Sequence, residues 1–93
     1  MGLRTSQNGI NLIKQFEGCH LKSYKCPAGI WTIGYGHTAG VYDGMTISQV
    51  QAESFLKDDL FKYEEKVNKY YTKYIWTQNE FDALVSFAFN IAV

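Results

Sequence analysis

The sequence has little of what marks several large classes of protein. Its 93 residues include two cysteines and one proline, and nine basic residues balance nine acidic ones. Two cysteines are too few for a disulfide scaffold, so we expect two free thiols. A net charge of zero gives no electrostatic attraction to nucleic acid or anionic lipid, and no apolar run is long enough to span a membrane. We therefore expect neither nucleic acid nor a membrane as a partner.

What the sequence does have is enough apolar material for a folded core. The hydrophobic content is 46% and the aromatic content is 16%, which excludes a disordered chain. Residues 6–17 are predicted to form a helix with Ser6 as its N-cap. The zone 20–47 holds β-favouring runs at 23–26 and 30–33, separated by a Pro-Ala-Gly turn signal. This pattern predicts a small antiparallel sheet.

Two capping boxes predict the remaining helices. Ser48 with Gln51 opens a helix over 48–70, and Thr77 with Glu80 opens one over 77–93. The order of helix, small sheet, long helix and core helix predicts an α+β fold in a single domain. The last helix is apolar nearly all round, which indicates burial on every side. Two explanations stay open: a fragment of a longer chain, or a homo-oligomer that forms through this C-terminal helix.

Glu17 is the candidate general acid. Ile10, Ile13 and Glu17 are spaced at i, i+3 and i+7, so Glu17 lies on the helix stripe that should face the core. Gly18 is the residue expected just past a helix end. Burial and the negative end of the helix dipole both raise the pKa of a carboxyl, which suits proton donation near neutral pH. The alternative is a solvated glutamate at a frayed helix end.

Three segments carry a family resemblance: FEG at 16–18, GIWTIGYGHT at 29–38, and TQ at 77–78 followed by FDALVSFAFN at 81–90. In content and spacing they resemble the phage-type lysozymes, or endolysins, of glycoside hydrolase family 24. The resemblance covers essentially all 93 residues. It implies that residues 1–93 are the N-terminal portion of a catalytic domain, in which the helix at 48–70 joins a sheet lobe to a truncated helical lobe.

The resemblance also implies an activity and a catalytic set. Family members cleave the β-1,4 bond between N-acetylmuramic acid and N-acetylglucosamine in peptidoglycan, and we expect neither a cofactor nor a metal ion. The family pattern is a glutamate, eight residues, an aspartate or cysteine, five residues and a threonine, which Glu17, Cys26 and Thr32 match. Glu17 would protonate the leaving oxygen, and Thr32 would hold the attacking water.

Cys26 stands where a carboxylate would serve as a base. It could ionise beside an electropositive neighbour, orient water as a thiol, or attack the sugar. The alternative is a small buried apolar residue. Cys26 with His37 could also form the nucleophilic dyad of a cysteine peptidase. The resemblance instead implies a structural ion pair between His37 and Asp59, which shares a helical row with apolar residues.

Substrate contacts are implied by the resemblance at Gly36, Phe89 and Asn90. The alternative for Phe89 is core packing. Tyr24, Tyr35 and Trp31 are candidates for stacking on sugars, although aromatic residues at this density mostly serve a core.

Four functions stay open at this stage: an active muramidase, a non-catalytic remnant that binds peptidoglycan or self-assembles, a lytic transglycosylase, and a cysteine endopeptidase. The first residues are too polar for a signal peptide. The resemblance therefore implies synthesis in the cytoplasm of a bacterial host and action on the cell wall after lysis or holin-dependent release.

Overall fold

The computed structural model describes residues 3–70 and 76–92 and contains three helices and one hairpin within them. The helices are α1 (Gln7–Glu17), α2 (Gln49–Tyr70) and α3 (Gln78–Ala92), and the strands are β1 (His20–Lys25) and β2 (Trp31–Gly34). The predicted α+β class is confirmed. None of the helices described has the length and apolar character needed to cross a membrane.

Both predicted capping boxes are formed. The Ser48 hydroxyl accepts a bond from the Gln51 amide at 3.1 Å, and the Gln51 side chain accepts one from the Ser48 amide at 3.0 Å. Thr77 and Glu80 make the same reciprocal pair at 3.2 and 2.9 Å. Each box satisfies two amides that have no partner within the helix. The two helices therefore begin one residue after Ser48 and Thr77.

The chain divides into two compact units. We call them the helical unit, Met1–Phe16 with Leu60–Val93, and the hairpin unit, Glu17–Asp59. The sequence predicted a single domain with two lobes, and that the two units act as one domain stays a prediction.

The helical unit is built on apolar residues at helical spacing. Phe81, Val85 and Phe89 lie four residues apart on α3 and are fully buried. The Phe89 ring meets the Tyr63 ring edge to face, with centroids 5.7 Å apart. The other buried apolar residues of this unit are Ile10, Ile13, Leu60 and Val67.

The expectation that the last helix is buried on every side is wrong for the chain as described. Phe87 is 65% exposed, and Ala83 is exposed as well. The physical reason is that residues three or four apart share one face of a helix, and the described residues cover the face that carries Phe81, Asp82, Val85, Ser86 and Phe89 but not the opposite face. Assembly through this helix stays a prediction.

Two buried carboxylates hold the N-terminal segment of the helical unit. Asp82 of α3 accepts hydrogen bonds from the Ser6 amide at 3.0 Å, from the Ser6 hydroxyl, and from the Gln78 side chain at 2.9 Å. Glu64 of α2 accepts bonds from the Arg4 guanidinium at 2.8 Å and the Thr5 amide at 2.7 Å. Because these carboxylates are buried, the donors offset the cost of removing them from water.

Ser6 is the predicted N-cap of α1, and its hydroxyl also accepts a bond from the Gly9 amide at 3.3 Å. Gly9 is packed directly against the same carboxylate. A Cβ atom at position 9 would lie 2.7 Å from Cγ of Asp82 and 2.7 Å from Cγ2 of Thr5. Contacts this short require the side chains, or the helix, to move.

The hairpin unit contains the predicted antiparallel sheet, in which β1 begins three residues before the predicted run and β2 is shifted by one residue. In the antiparallel pairing Tyr24 lies opposite Thr32 and Lys25 opposite Trp31. The ladder ends at Cys26, whose amide donates to the Ile30 carbonyl at 3.0 Å. The buried apolar residues of the hairpin unit are Ile33, Tyr35, Ile47, Ala52 and Leu56.

We predict that Gly9→Ala destabilises the protein by ~1–3 kcal/mol, because the added methyl overpacks the Asp82 contact. Chemical denaturation monitored by circular dichroism measures the change. The control is Gln15→Ala, an exposed position of the same helix, where alanine should leave stability unchanged or raise it slightly. A Gly9→Ala variant as stable as the control would contradict the packing described.

Candidate active site

Glu17 is the last residue of α1 and the first of the hairpin unit. Gly18 follows with a φ of 68°, the left-handed conformation that ends a helix and that glycine adopts without strain. The Glu17 side chain is half-buried, and burial raises the pKa of its carboxyl. The predicted direction of the shift is confirmed, and the carboxyl keeps its proton to a higher pH than an ordinary glutamate.

Cys26 lies where β1 turns towards β2, and its thiol has a lowered pKa. The largest cause is the backbone N–H of Ile30, followed by that of Ala28, with a further hydrogen bond from the Thr32 hydroxyl. These donors stabilise the thiolate more than the neutral thiol. Ionisation beside an electropositive neighbour was one of the alternatives for Cys26, and the neighbours that lower its pKa are backbone amides.

Ala28 and Ile30 are therefore site residues that the sequence analysis missed. The signal lay in the Pro-Ala-Gly turn, since a tight turn directs successive N–H groups to one side. Gly29, with a φ of 79°, allows this path, and its amide donates to the Cys26 carbonyl at 2.8 Å. The turn geometry decides which atom these amides point towards, and residue spacing alone does not predict that atom.

Thr32 is buried, with 3% of its surface exposed. Its hydroxyl lies 3.0 Å from the Ile30 carbonyl oxygen, to which it can donate, and it also acts on the Cys26 thiol. Because a hydroxyl has one proton, it serves one of these two acceptors at a time.

Tyr24 links the candidate acid, Glu17, to Cys26 and Thr32. It lies opposite Thr32 in the ladder, so the two side chains share one face of the hairpin. The pKa of its phenol is raised first by burial, then by the charge of Glu17, then by that of Cys26. Both charges must lie close enough to act on one phenol. The hairpin unit thus brings Glu17, Cys26 and Thr32 into one neighbourhood.

The predicted contact between His37 and Asp59 is present. Nδ1 of His37 lies 2.8 Å from Oδ2 of Asp59, and both side chains are largely buried. The His37 ring also stacks on Phe55, with centroids 4.2 Å apart. Gly36, with a φ of 85°, forms the turn before His37, whose backbone exchanges two 2.9 Å hydrogen bonds with Ile33.

His37 is not among the groups that shift the pKa of Cys26. Among the described residues, Asp59 and Phe55 are its side-chain partners. This arrangement disfavours the Cys26–His37 dyad of a cysteine peptidase, in which the histidine must reach the thiol.

The helical unit holds the other two predicted substrate contacts. Phe89 is 1% exposed and packs on Tyr63, so its environment corrects the expectation of a cleft wall and favours core packing. A side chain this buried has no free surface for a sugar. The Asn90 side chain is exposed, and its contact with substrate stays a prediction.

We predict that Asp59→Ala destabilises the protein by ~1 kcal/mol, because it leaves a buried imidazole nitrogen without its partner. The matched control is Asp58→Ala, an exposed neighbour on the same helix, for which we expect almost no change. In a His37→Phe background, which keeps the ring stacked on Phe55, the cost of Asp59→Ala should fall. An equal cost in both backgrounds would show that the pair contributes nothing.

We predict that the Cys26 thiol is alkylated by iodoacetamide at a lower pH than an ordinary cysteine, because its thiolate is stabilised by hydrogen bonds. The measurement uses a Cys19→Ser background and mass spectrometry across a pH series. Thr32→Val removes one donor and should move the labelling curve to higher pH, whereas Thr38→Val, at an exposed position, should not. If the pH dependence of Cys26 labelling matched that of an ordinary thiol, the assignment of a lowered pKa to Cys26 would be refuted.

Sequence comparison gives a consistent set of relatives. The phage lysozyme family model matches residues 14–93. The endolysin of Acyrthosiphon pisum secondary endosymbiont phage 1 is 44% identical over 91 residues, which are 98% of this chain and 62% of that protein. The endolysin of Bacillus phage PZA is 48% identical over 94 residues, again 98% of this chain but 36% of that protein.

Solved structures agree with the sequence matches. The muramidase domain of SpmX from Asticaccaulis excentricus has a TM-score of 0.88 at 43% identity. The match covers 95% of this chain and 59% of that one. The active form of the P1 phage endolysin Lyz has a TM-score of 0.86 at 36% identity, with coverages of 95% and 49%. The chain thus spans about one third to two thirds of the length of these relatives. By the family match and these similarities, the chain belongs to the phage lysozyme family.

Proposed function

We propose that this chain is the catalytic part of a peptidoglycan hydrolase, a muramidase that cleaves the β-1,4 bond between N-acetylmuramic acid and N-acetylglucosamine. The observation that carries the proposal is the pairing of two oppositely shifted groups in one neighbourhood. Burial raises the pKa of Glu17, and hydrogen bonds lower the pKa of Cys26. Each shift favours the form that the proposed role requires, because the carboxyl keeps its proton to a higher pH than usual and the thiol loses its proton at a lower pH than usual.

Glu17 is the general acid in this proposal. Its proton passes to the glycosidic oxygen as the bond to the anomeric carbon breaks, and the bonding electrons leave with that oxygen. A carboxyl that keeps its proton to a higher pH than usual is better suited to this step than an ordinary glutamate. The Glu17 carboxylate that is left after proton transfer stabilises the positive charge that develops on the sugar.

Cys26 and Thr32 handle the water in this proposal. The water oxygen bonds to the anomeric carbon and releases a proton, which a Cys26 thiolate can accept. The Thr32 hydroxyl, buried beside the sulfur, orients that water by accepting a hydrogen bond from it while it donates its own hydrogen bond to the Ile30 carbonyl. Covalent attack of the sulfur on the sugar is the alternative that these contacts leave open.

The relatives support the proposed substrate. Several are named endolysins, and one structural neighbour is a muramidase domain. We propose accordingly that the protein acts on the bacterial cell wall after release from the cell that makes it. A non-catalytic remnant is not favoured, because the acid, the thiol and the hydroxyl are all present and close to Tyr24.

The proposal is tested by incubating purified peptidoglycan with the chain and analysing the new ends. We expect release of reducing ends, and a loss of at least ~10²-fold in Glu17→Gln, which removes the proton donor. The control is Glu65→Gln, an exposed glutamate of the helical unit, which should keep full activity. Activity should also fall as pH rises through the raised pKa of Glu17, because the acid must be protonated to act.

Other products of the same assay contradict the proposal in different ways. Anhydro sugar ends would indicate a lytic transglycosylase, and new amino groups would indicate an endopeptidase. No release by the unaltered chain would support the non-catalytic remnant. Full activity in Glu17→Gln would remove Glu17 from the mechanism.

A further inference from the structure

Trp31 carries backbone groups that face the outer edge of β2, away from β1. The bond from the Cys26 amide to the Ile30 carbonyl marks these two residues as a hydrogen-bonded pair of the ladder. Hydrogen-bonded and non-bonded pairs alternate along antiparallel strands, so Lys25 and Trp31 form a non-bonded pair. The N–H and C=O groups of Trp31 therefore point away from β1, towards the outer edge of β2.

The neighbouring position on this edge is already paired. Ile33 lies two residues after Trp31, and its backbone exchanges two hydrogen bonds of 2.9 Å with His37. Within residues 3–70 and 76–92, no backbone group gives Trp31 a partner of this kind. One donor and one acceptor are thus available at Trp31, directly beside a bonded pair.

The side chains at this edge differ between the two faces of the hairpin. On one face, the Lys25 ammonium group lies 5.3 Å from the centre of the half-buried Trp31 ring. In the part of the chain that the structure describes, no carboxylate forms an ion pair with Lys25. On the other face, Ile30 is 51% exposed, and it shares that face with the buried Thr32. A ligand on this edge therefore lies between a cation and the candidate site.

An extended peptide with a free carboxylate matches this chemistry. Its N–H and C=O groups can exchange two hydrogen bonds with Trp31, as those of His37 do with Ile33. Its carboxylate is attracted to the Lys25 ammonium group. In peptidoglycan, a peptide stem is attached to the lactyl group of N-acetylmuramic acid. The stem begins with L-alanine, and the glutamate that follows carries a free carboxylate.

We propose that the outer edge of β2 binds the peptide stem of the substrate through the backbone of Trp31, with the Lys25 ammonium group beside the carboxylate of the stem. This inference rests on the proposed function, which brings a muramic acid residue to Glu17 and Thr32. The acetamido groups of the sugars also offer an amide, but they carry no charge for Lys25. The stem is therefore the better match to this edge.

Hydrogen exchange of individual amides, followed by NMR, tests the contact. The probe is the peptide N-acetyl-L-Ala-γ-D-Glu-L-Lys, and its matched control carries N-methyl-L-alanine, which lacks the N–H donor. In the free protein we expect fast exchange at the Trp31 amide and slow exchange at the Ile33 amide, which is bonded to His37. At a free concentration of about ten times Kd, the probe should slow exchange at Trp31 by about tenfold and leave Ile33 unchanged. The N-methylated peptide should slow neither.

Substitution of the lysine tests the charge. Lys25→Gln should raise the Kd of the probe by about two- to fivefold, the range of an exposed ion pair. The matched control is Lys22→Gln, an exposed lysine of the same strand, which should leave Kd unchanged. Equal Kd values for these two variants would overturn the inference. So would an unchanged exchange rate at Trp31, or an equal slowing by tetra-N-acetylchitotetraose, which would identify the sugar acetamido groups as the ligand.

Because the probe has no glycosidic bond, its binding is independent of catalysis. If the chain releases no reducing ends but the probe slows exchange at Trp31, the inference stands and the proposed function fails. In an active chain, removal of the stems by an amidase should raise KM for peptidoglycan by about tenfold. Lys25→Gln should raise KM only for peptidoglycan that keeps its stems. Equal KM values for intact and stripped peptidoglycan would overturn the inference and leave the proposed function intact.

Discussion

The candidate chemistry depends on the short hydrogen-bonded ladder between β1 and β2. Its pairing sets Tyr24 opposite Thr32, and its last bond, from the Cys26 amide to the Ile30 carbonyl, closes the turn around the thiol. A slip of one residue would move the Thr32 side chain to the other face of the hairpin. The same slip would take the Ile30 amide away from the sulfur. A small number of backbone hydrogen bonds thus determines which side chains and amides lie together in the site.

Two different physical effects prepare the acid and the thiol. Glu17 loses contact with water, which disfavours its charged form, whereas Cys26 gains hydrogen bonds from backbone amides, which favour its charged form. Neither effect requires a charged partner from the hairpin unit. In this way the carboxyl holds its proton to a higher pH, and the thiol ionises at a lower pH, than either group does in water.

The helical unit shows how buried acids can serve structure alone. Asp82 and Glu64 accept hydrogen bonds from the segment before α1, and each carboxylate satisfies backbone amides that lie outside the helix ladder. Their partners come from positions more than fifty residues away in the chain. The donors around these two buried carboxylates distinguish a structural acid from Glu17, which is half-buried and whose pKa is raised by burial.

By itself, the sequence determined what depends on neighbours a few residues apart. The three helix starts, the Gly18 stop, the hairpin turn and the family motif could all be predicted, because capping, turn preference and helical spacing act locally. The contact of His37 with Asp59 was predicted only through the family resemblance.

Tertiary structure decided the rest. It assigned Phe89 to the core and left Phe87 exposed, it bound the Ser6 cap of α1 to Asp82 of another helix, and it placed the amides of Ala28 and Ile30 at the Cys26 sulfur. These outcomes depend on which surfaces, distant in the chain, pack together and on the directions of backbone N–H groups. Residue type and spacing reveal neither of these.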